Sequence, residues 1–313
     1  MKRVLILTDG KAGHENQSKA FARALGCDFD IGEVHFKSPF AKAASYFLDR
    51  CLNLLLPGLL TGLDEIVRPA ADGARYSAVI GTGSGTFYAA KVAGAKLRVP
   101  CAAVLYPRGY RLSTFNCIMA PAFDRPASAD NVIEIPANIV SNDEAFYEAG
   151  VKSFLERHTP GDKPALAVIV GGPNKCSTMT AQWMKEQLDA VFAQSEGYER
   201  WVTTSRRTPP DVEKVIESYD WDYRLVYSKD KYNPIPAFVK LARRLYVTAE
   251  STGMLSETCT CGSAEVYALD NLKRGGHKFR RFLDDLTAGG YVGGNRKIDL
   301  SAQLVRAREL LGL

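Results

Sequence analysis

Short apolar runs rich in β-branched residues alternate with longer stretches of helical periodicity, and this alternation constrains the fold more than any other feature. Strands joined by crossover helices form parallel sheets, so the pattern predicts an α/β protein. The predicted strands are 3–8, 30–36, 78–81, 101–105, 117–120, 131–135, 165–170, 199–204, 223–226, 244–248 and 264–268. The predicted helices are 16–25, 39–56, 86–95, 143–157, 180–194, 210–219, 235–241, 254–261, 278–288 and 301–311.

The pattern restarts after the polar segment HTPGDKP at residues 158–164, which has the composition of a linker. Two successive doubly wound units predict two Rossmann-like domains, 1–157 and 164–285, that face each other across a cleft. A tail, 286–313, leaves the second domain through the glycine-containing sequence GGYVGGNRKIDLS and ends in an amphipathic helix. Ligands of such sheets bind at the carboxyl ends of the strands, so the loops after the strands are the places to search.

Composition narrows the function classes. The chain of 313 residues has a formal net charge of +5, which suits an anionic ligand such as a nucleoside diphosphate but is too small and dispersed for nucleic acid. Seven scattered cysteines predict free thiols in a reducing compartment. The N-terminal apolar run is too short for a signal peptide, so a cytoplasmic protein is expected. Cys259 and Cys261 lack a second ligand pair, and no metal site is expected.

A leucine-rich segment, YFLDRCLNLLLPGLLTGL at residues 46–63, has two interpretations. It is broken by Pro57 and contains charged residues, so it is not a transmembrane helix. One interpretation is a buried helix and turn. The other is a partly exposed apolar helix that touches a membrane or holds a lipid acceptor.

The loop after the first predicted strand, DGKAGHENQ, carries the first candidate site residues, Gly13, His14, Asn16 and Gln17. Glycines allow the backbone to approach a ligand, and imidazole is suited to general base catalysis near neutral pH. His14 could instead only cap the helix or hydrogen-bond the loop.

The loop GTGSGT after the third predicted strand adds Gly83 and Ser84, whose amides could hold a phosphate or a hydroxyl. A tight turn without a ligand is the alternative for this loop.

Three loops of the second half predict a diphosphate site. GGPNK has glycines before a helix, TTSRRTP has two arginines at a strand end that form an anion clamp, and AESTGMLSE offers a carboxylate to a ribose diol. The alternatives are a solvated basic turn for the arginines and surface or capping roles for Glu250 and Glu257. The candidate residues are Gly171, Gly172, Asn174, Lys175, Ser205, Arg206, Arg207, Ser251, Thr252, Gly253, Met254, Leu255, Ser256 and Glu257.

The strings DGKAGHENQ, GGPNKCSTMT, TTSRRTP and AESTGMLSE resemble, in order and over most of the chain, the ELM-type mitochondrial fission family, which has many bacterial members. That family in turn resembles GT-B glycosyltransferases, above all the N-acetylglucosaminyltransferase that makes lipid II and, more distantly, lipid A disaccharide synthase. In the lipid II enzyme the corresponding loops are GGH, GG-S-x-G and S-G-A-x-x-x-x-E. This chain departs from them at Ala12, at 173–175 and at Thr252.

The resemblance implies the GT-B fold, with an acceptor-side domain at 1–157, a donor domain at 164–285 and a tail that returns to the first domain. It implies an inverting transferase that needs no metal or cofactor and uses a nucleoside-diphosphate sugar, expected to be UDP-linked. His14 would be the base, and Glu257 would hold the donor ribose. The acceptor would be a lipid-linked or envelope glycan at the inner face of the cytoplasmic membrane.

A second function class remains open beside the transferase. The plant member that names the family makes a non-catalytic binding or membrane-organising role an alternative, and a nucleotide-sugar epimerase is a weaker one. His14, Arg206 and Glu257 favour an active site, because a scaffold has no need of a base and a diphosphate clamp.

Overall fold

The structure, a computed structural model, describes residues 2–67, 76–140 and 142–313. The chain forms two compact units. Unit 1 comprises Met1–Ser141 and Asp299–Leu313, and unit 2 comprises Asn142–Ile298.

The regular elements alternate along the chain as the sequence pattern predicts. The strands are β1 (Arg3–Thr8), β2 (Asp28–Glu33), β3 (His35–Phe36), β4 (Leu60–Thr61), β5 (Ala78–Thr82), β6 (Cys101–Val104), β7 (Cys117–Pro121), β8 (Val132–Ile135), β9 (Ala165–Ile169), β10 (Glu199–Thr203), β11 (Tyr223–Leu225), β12 (Ala242–Thr248) and β13 (Glu265–Leu269). The helices are α1 (Ala12–Ala24), α2 (Pro39–Phe47), α3 (Leu63–Val67), α4 (Phe87–Leu97), α5 (Glu144–Leu155), α6 (Ala181–Phe192), α7 (Pro210–Glu217), α8 (Ile235–Leu241), α9 (Thr252–Thr260), α10 (Lys278–Ala288) and α11 (Ser301–Leu311).

Unit 1 is built on a parallel sheet with the strand order β2-β1-β5-β6-β7-β8. Alternate side chains of a strand point to opposite faces, and both faces of this sheet are buried. Val4 and Ile6 pack with α1 and α11, whereas Leu5 and Leu7 pack with α4 on the other face. A separate antiparallel ribbon of β3 and β4 stands beside the sheet.

The last helix belongs to unit 1. Ala307 and Leu311 of α11 are buried against the face that includes Met119 of β7 and Ile133 of β8. Arg308 donates a hydrogen bond to the carbonyl of Leu25. Of the predicted tail, 286–313, only the part from Asp299 onward is in unit 1, so the predicted tail begins 13 residues before the chain re-enters that unit.

Unit 2 is built on a second parallel sheet, with the order β11-β10-β9-β12-β13. One face is covered by α6 and α7. On the opposite side, Phe154 of α5 packs against Trp201 of β10 at 5.1 Å between ring centroids and against Phe238 of α8 at 5.8 Å. Because Phe154 is buried in this aromatic cluster, α5 belongs to unit 2. The boundary lies at residues 141–142, not in the linker 158–164 expected from composition.

Several predicted elements have different bounds in the structure. The predicted helix 39–56 ends at Phe47 and continues as a π-helical turn, Leu48–Leu52, which Asn53 terminates in the left-handed conformation at φ 51°. The predicted strand 30–36 is interrupted at Val34 and becomes β2 and β3. Helix α1 begins at Ala12, four residues before its predicted start, which puts His14 in its first turn.

Candidate functional site

The sheet of unit 1 has a topological switch point between β1 and β5. The chain leaves β1 for β2 on one side of it, and β5 pairs with the other side. Loops that follow such adjacent strands diverge to opposite faces and leave a crevice that commonly binds ligands. The loops with the sequences DGK and GSGT therefore meet at this point, as the carboxyl ends of their strands require.

His14 and Asp9 form a hydrogen-bonded pair in that crevice. Nδ1 of His14 lies 3.1 Å from Oδ1 of Asp9, while Lys11 Nζ lies 2.6 Å from Oδ2. The side chain of His14 is 27% exposed, whereas that of Asp9 is 7% exposed. Burial by itself would raise the pKa of the Asp9 carboxyl, but hydrogen bonds and positive charge from Lys11 and His14 outweigh it and lower that pKa. Asp9 is therefore an ionised acceptor at neutral pH.

Two glycines of the β5 loop make room for this pair. A Cβ added at Gly83 would overlap the His14 ring and lie 2.6 Å from Nδ1, and the φ of Gly83 is +81°. A Cβ at Gly85 would lie 2.8 Å from the Cβ of Asp9. Real Cβ atoms do not approach other atoms so closely, so both positions require glycine for the imidazole and carboxylate to pack on this loop.

The other predicted residues of unit 1 differ in what they contact. Gln17 hydrogen-bonds the backbone of Ile139 through both its amide nitrogen, at 2.9 Å, and its amide oxygen, at 3.2 Å, which is a structural role. Ser84 accepts a hydrogen bond from Lys42 of α2 at 2.9 Å. Gly13 and Asn16 are exposed on the first turns of α1.

Unit 2 has its own switch point, between β9 and β12. Glu250, which is 2% exposed, joins the loops there. Its Oε1 accepts hydrogen bonds from the amide of Gly172 at 2.7 Å and from Thr248 Oγ1 at 3.1 Å, and its Oε2 accepts from Asn271 Nδ2 at 2.7 Å. The amide of Gly171 donates to Thr248 Oγ1 at 2.8 Å. Glu250 thus holds the glycine loop in place and is not a free ligand group.

The glycine loop also packs closely on the arginine loop. A Cβ at Gly172 would overlap the carbonyl of Arg207, and Thr208 Oγ1 donates to the carbonyl of Gly171 at 2.6 Å. Asn174 closes its own turn by accepting from the amide of Cys176 at 2.8 Å, and Lys175 is exposed.

A cavity of about 300 Å³ opens beside the arginine loop of unit 2. Arg206 and Arg207 are exposed at its wall, and neither has an ion-pair partner among the residues that the structure describes. The residues that line the cavity are Thr203, Thr204, Ser205, Arg206, Arg207, Tyr227, Tyr232, Asn233, Ile235 and Met254. The cavity therefore combines unpaired positive charge with aromatic surface.

The segment of predicted donor residues from Ser251 to Glu257 forms the first turns of α9. Ser251 is the N-cap and makes no side-chain cap hydrogen bond, while Leu255 and Ser256 are buried in the unit. Oε1 of Glu257 accepts hydrogen bonds from Tyr147 at 2.8 Å and from Asn142 at 3.1 Å. Burial, together with the Glu257 charge, raises the pKa of Tyr147, so Tyr147 is a neutral donor.

Sequence reasoning missed three groups of residues at these loops. Tyr227, Tyr232 and Asn233 follow β11, so the rule that selected the other strand ends would have found them. Asp9 lies in the same motif as His14, so the loop that contains His14 could have indicated it. No sequence signal indicated Lys42, because it lies on the helix α2 and not in a loop that follows a strand.

Comparison with known proteins decides the family. The family model described as mitochondrial fission ELM1 matches residues 12–300. The chain belongs to the mitochondrial fission ELM1 family. An uncharacterized protein of Rickettsia prowazekii (strain Madrid E) is 29% identical over 135 residues, which are 41% of this chain and 38% of that relative. The matched part thus spans well under half of the curated relative, as it does of this chain.

Solved structures that resemble this family member share its architecture at low identity. A UDP-GlcNAc 2-epimerase from Methanocaldococcus jannaschii is 15% identical with a TM-score of 0.51, covering 96% of this chain and 95% of that one. MurG from Acinetobacter baumannii is 13% identical with a TM-score of 0.50, covering 99% and 92%. A UDP-glucosyltransferase from Polygonum tinctorium is 9% identical with a TM-score of 0.50, covering 99% and 88%.

These likenesses confirm the predicted GT-B fold class, which glycosyltransferases and epimerases share. In the described part of the chain, no helix has the length and apolar character needed to span a bilayer. Within the same residues, His, Cys, Asp and Glu side chains form no group of three or more suited to a metal ion.

Proposed function

We propose that this ELM1-family protein is an inverting glycosyltransferase that moves a sugar from a nucleoside-diphosphate sugar, UDP-linked by preference, to a hydroxyl acceptor. One observation supports it above the others: His14 is held by a buried carboxylate at the switch point of its own sheet, with glycines at Gly83 and Gly85 that admit the pair. A base needs such support to remove a proton from an acceptor hydroxyl. The reaction requires no metal and no cofactor besides the sugar nucleotide.

Unit 2 has the chemistry of a donor site. Arg206 and Arg207 offer two guanidinium groups that form no ion pair with the described residues and would bind diphosphate oxygens by charge-assisted hydrogen bonds. The amides at the start of α9 favour the same negative charge. Tyr227 and Tyr232 give the adjacent cavity an aromatic wall against which a nucleobase can stack. The hydrogen bonds of Glu257 with Asn142 and Tyr147 are on Oε1, so we assign Oε2 to the ribose diol.

Arg206→Ala tests the donor site directly. Losing one charge-assisted hydrogen bond to the diphosphate costs about 1.5–3 kcal/mol, so affinity for a nucleoside diphosphate is expected to fall roughly 10- to 100-fold. Arg243→Ala is the matched control. Arg243 is also exposed, but it lies near the amino-terminal end of β12, whereas Arg206 follows the carboxyl-terminal end of its strand. Calorimetric titration with UDP, ADP and GDP gives the dissociation constants. Equal affinities of the two variants would contradict an Arg206 clamp.

A turnover experiment separates transfer from the other two functions. The sugar nucleotide that stabilises the protein most is incubated with and without hydroxyl acceptors, and NMR follows the anomeric configuration. Acceptor-dependent release of the diphosphate with inversion supports the proposal. Conversion of the sugar nucleotide into a stereoisomer without acceptor would identify an epimerase. Tight binding without either reaction would identify a non-catalytic protein.

We also propose that unit 1 carries the acceptor on a membrane-facing apolar surface. Five large apolar side chains between positions 40 and 56 are exposed, and we refer to them together as the apolar face: Phe40, Phe47, Leu52, Leu54 and Leu56, with exposed fractions of 86, 59, 56, 43 and 39%. Arg50 is exposed in the same segment and suits anionic headgroups. The predicted segment 46–63 is only partly responsible, because Leu60 is buried and Leu55 and Leu59 pack against the core.

Flotation with vesicles tests the apolar face. Burying one phenylalanine or leucine side chain contributes about 1.5–3 kcal/mol. Phe40→Ser/Phe47→Ser/Leu52→Ser is therefore expected to lower partitioning into anionic vesicles by on the order of tenfold or more. Phe146→Ser/Leu155→Ser, at exposed apolar positions of unit 2, serves as the control. Equal partitioning of the two folded variants would remove the membrane proposal and leave the transferase proposal standing.

A further inference from the structure

Resting on the proposed function, we infer that Asp9 is the positioning residue that selects which nitrogen of His14 acts on the acceptor. The hydrogen bond to the carboxylate keeps the ring proton on Nδ1. The lone pair of Nε2 is then the base that takes the proton from the acceptor hydroxyl. The motif DGKAGHENQ thus supplies both residues, five positions apart, one from the loop after β1 and one from the first turn of α1.

The geometry allows only one direction for the hydrogen bond. An ionised carboxylate accepts and does not donate, so the 3.1 Å contact between Asp9 Oδ1 and His14 Nδ1 requires the hydrogen on Nδ1. A neutral imidazole has one N–H, so Nε2 then carries a lone pair. Among the described residues, none hydrogen-bonds to Nε2, and the ring remains 27% exposed.

The surroundings fix Asp9 itself. Lys11 binds the other carboxylate oxygen at 2.6 Å, so the two oxygens have separate tasks. Gly10, with φ +78°, makes the turn that brings Asp9 back toward the first turn of α1. The missing side chain of Gly85 leaves the space that the carboxyl occupies.

Hydrogen bonds fix the position of helix α1, which keeps the His14 ring beside the Asp9 carboxylate. Ser18 on α1 shares a 2.6 Å hydrogen bond with Thr82 at the end of β5, and both residues are buried. Gln17 ties the same helix to Ile139. A triad carboxylate in hydrolases orients its histidine through the same kind of bond and stabilises the imidazolium that forms when the base takes its proton.

The inference predicts a spectroscopic signature that needs no substrate. The chain has four histidines, so long-range ¹H–¹⁵N spectra of ¹⁵N-histidine protein are simple, and His14→Asn identifies the His14 signals by their loss. At a pH where the ring is neutral, wild-type His14 is expected in the Nδ1–H form. In Asp9→Asn the amide can donate or accept, so the ring is expected to shift toward the Nε2–H form that free histidine favours.

Two controls keep this test interpretable. Asn matches Asp in size, and Lys11, whose side chain is 64% exposed, stays solvated without its partner, so Asp9→Asn is expected to fold. Lys11→Met removes the hydrogen bond to the other oxygen of Asp9 and should leave the Nδ1–H form of His14 unchanged. An Nε2–H form in the wild type, or the same form in wild type and Asp9→Asn, would overturn the inference.

A kinetic measurement separates failure of this inference from failure of the proposed function. General base catalysis contributes roughly 10²–10⁴-fold, so Asp9→Asn should lower kcat by up to that factor while KM for the sugar nucleotide changes little. If His14→Asn abolishes turnover and Asp9→Asn changes neither kcat nor the tautomer, the positioning role is wrong and the base stands. If the tautomer shifts but neither substitution affects turnover, the base assignment is wrong.

Discussion

Gly172 is a residue whose lack of a side chain is a structural requirement. A Cβ there would lie 2.5 Å from the Cβ of Arg207 and overlap the Arg207 carbonyl, which is backbone and cannot rotate away. Gly172→Ala is therefore expected to destabilise unit 2 by about 1–3 kcal/mol, the usual cost of overpacking. All three tryptophans, Trp183, Trp201 and Trp221, are in unit 2, so fluorescence during urea unfolding reports on it.

Gly253 provides the control at the same scale. An added Cβ has no neighbour within 4 Å, and the residue lies in α9, where alanine is the better helix former by up to about 1 kcal/mol. Gly253→Ala should leave the urea midpoint unchanged or raise it. Equal midpoints for both variants would mean that the glycine and arginine loops relax and are not held as the contacts indicate.

At the scale of elements, the buried pair of Lys91 on α4 and Asp49 in the π-helical turn attaches the apolar face to unit 1. Lys91 Nζ is 2.7 Å from both Asp49 oxygens and 2.8 Å from the carbonyl of Arg111, and both side chains are 1% exposed. Burial lowers the pKa of Lys91 although Asp49 opposes the shift. The amide of Arg111 also donates to Asp49, at 2.7 Å.

Lys91→Met tests this attachment. It leaves the Asp49 charge buried without its cation, so we expect a loss of about 3–5 kcal/mol. The exposed pair of Lys185 and Asp189 is the control, and Lys185→Met should change the stability little, because exposed ion pairs are screened by solvent. Urea unfolding followed by far-UV circular dichroism measures both. A similar small loss in both variants would argue against a structural role, and Lys91→Met/Asp49→Leu should recover part of the stability.

At the scale of the whole molecule, the chain returns to unit 1 at its end, and α11 completes one face of the first sheet. Leu311 is 1% exposed there, whereas Val305 on the same helix is 57% exposed. Leu311→Ala is expected to cost unit 1 about 2–5 kcal/mol through lost burial and the cavity left behind. Val305→Ala should have little effect.

Circular dichroism and tryptophan fluorescence together test the prediction for Leu311→Ala. Unit 1 contains no tryptophan, so a lower unfolding midpoint by circular dichroism for Leu311→Ala reports the loss in unit 1. Fluorescence reports separately on unit 2. An unchanged midpoint by circular dichroism would show that α11 adds nothing to the first core.

The sequence alone determined the fold class, because short continuous apolar runs separated by helical stretches leave few arrangements besides doubly wound parallel sheets. It also determined the family, and both predictions are confirmed. The candidate residues stay predictions, which rest on the rule that ligands of such sheets bind in the loops after the strands. His14 and Gly83 were selected independently, and the structure brings them into contact.

Only the tertiary structure decided which unit contains α5, which groups Glu250 hydrogen-bonds and which side chains of the apolar segment are exposed. Phe154 is assigned to unit 2 by aromatic partners 47 and 84 residues further along the chain, Trp201 and Phe238. The carboxylate of Glu250 accepts a hydrogen bond from the amide of Gly172, which lies 78 residues earlier in the chain. The local sequence pattern determines where helices, strands and turns form. It does not encode which residues distant in sequence become hydrogen-bond or packing partners, because that depends on the tertiary fold.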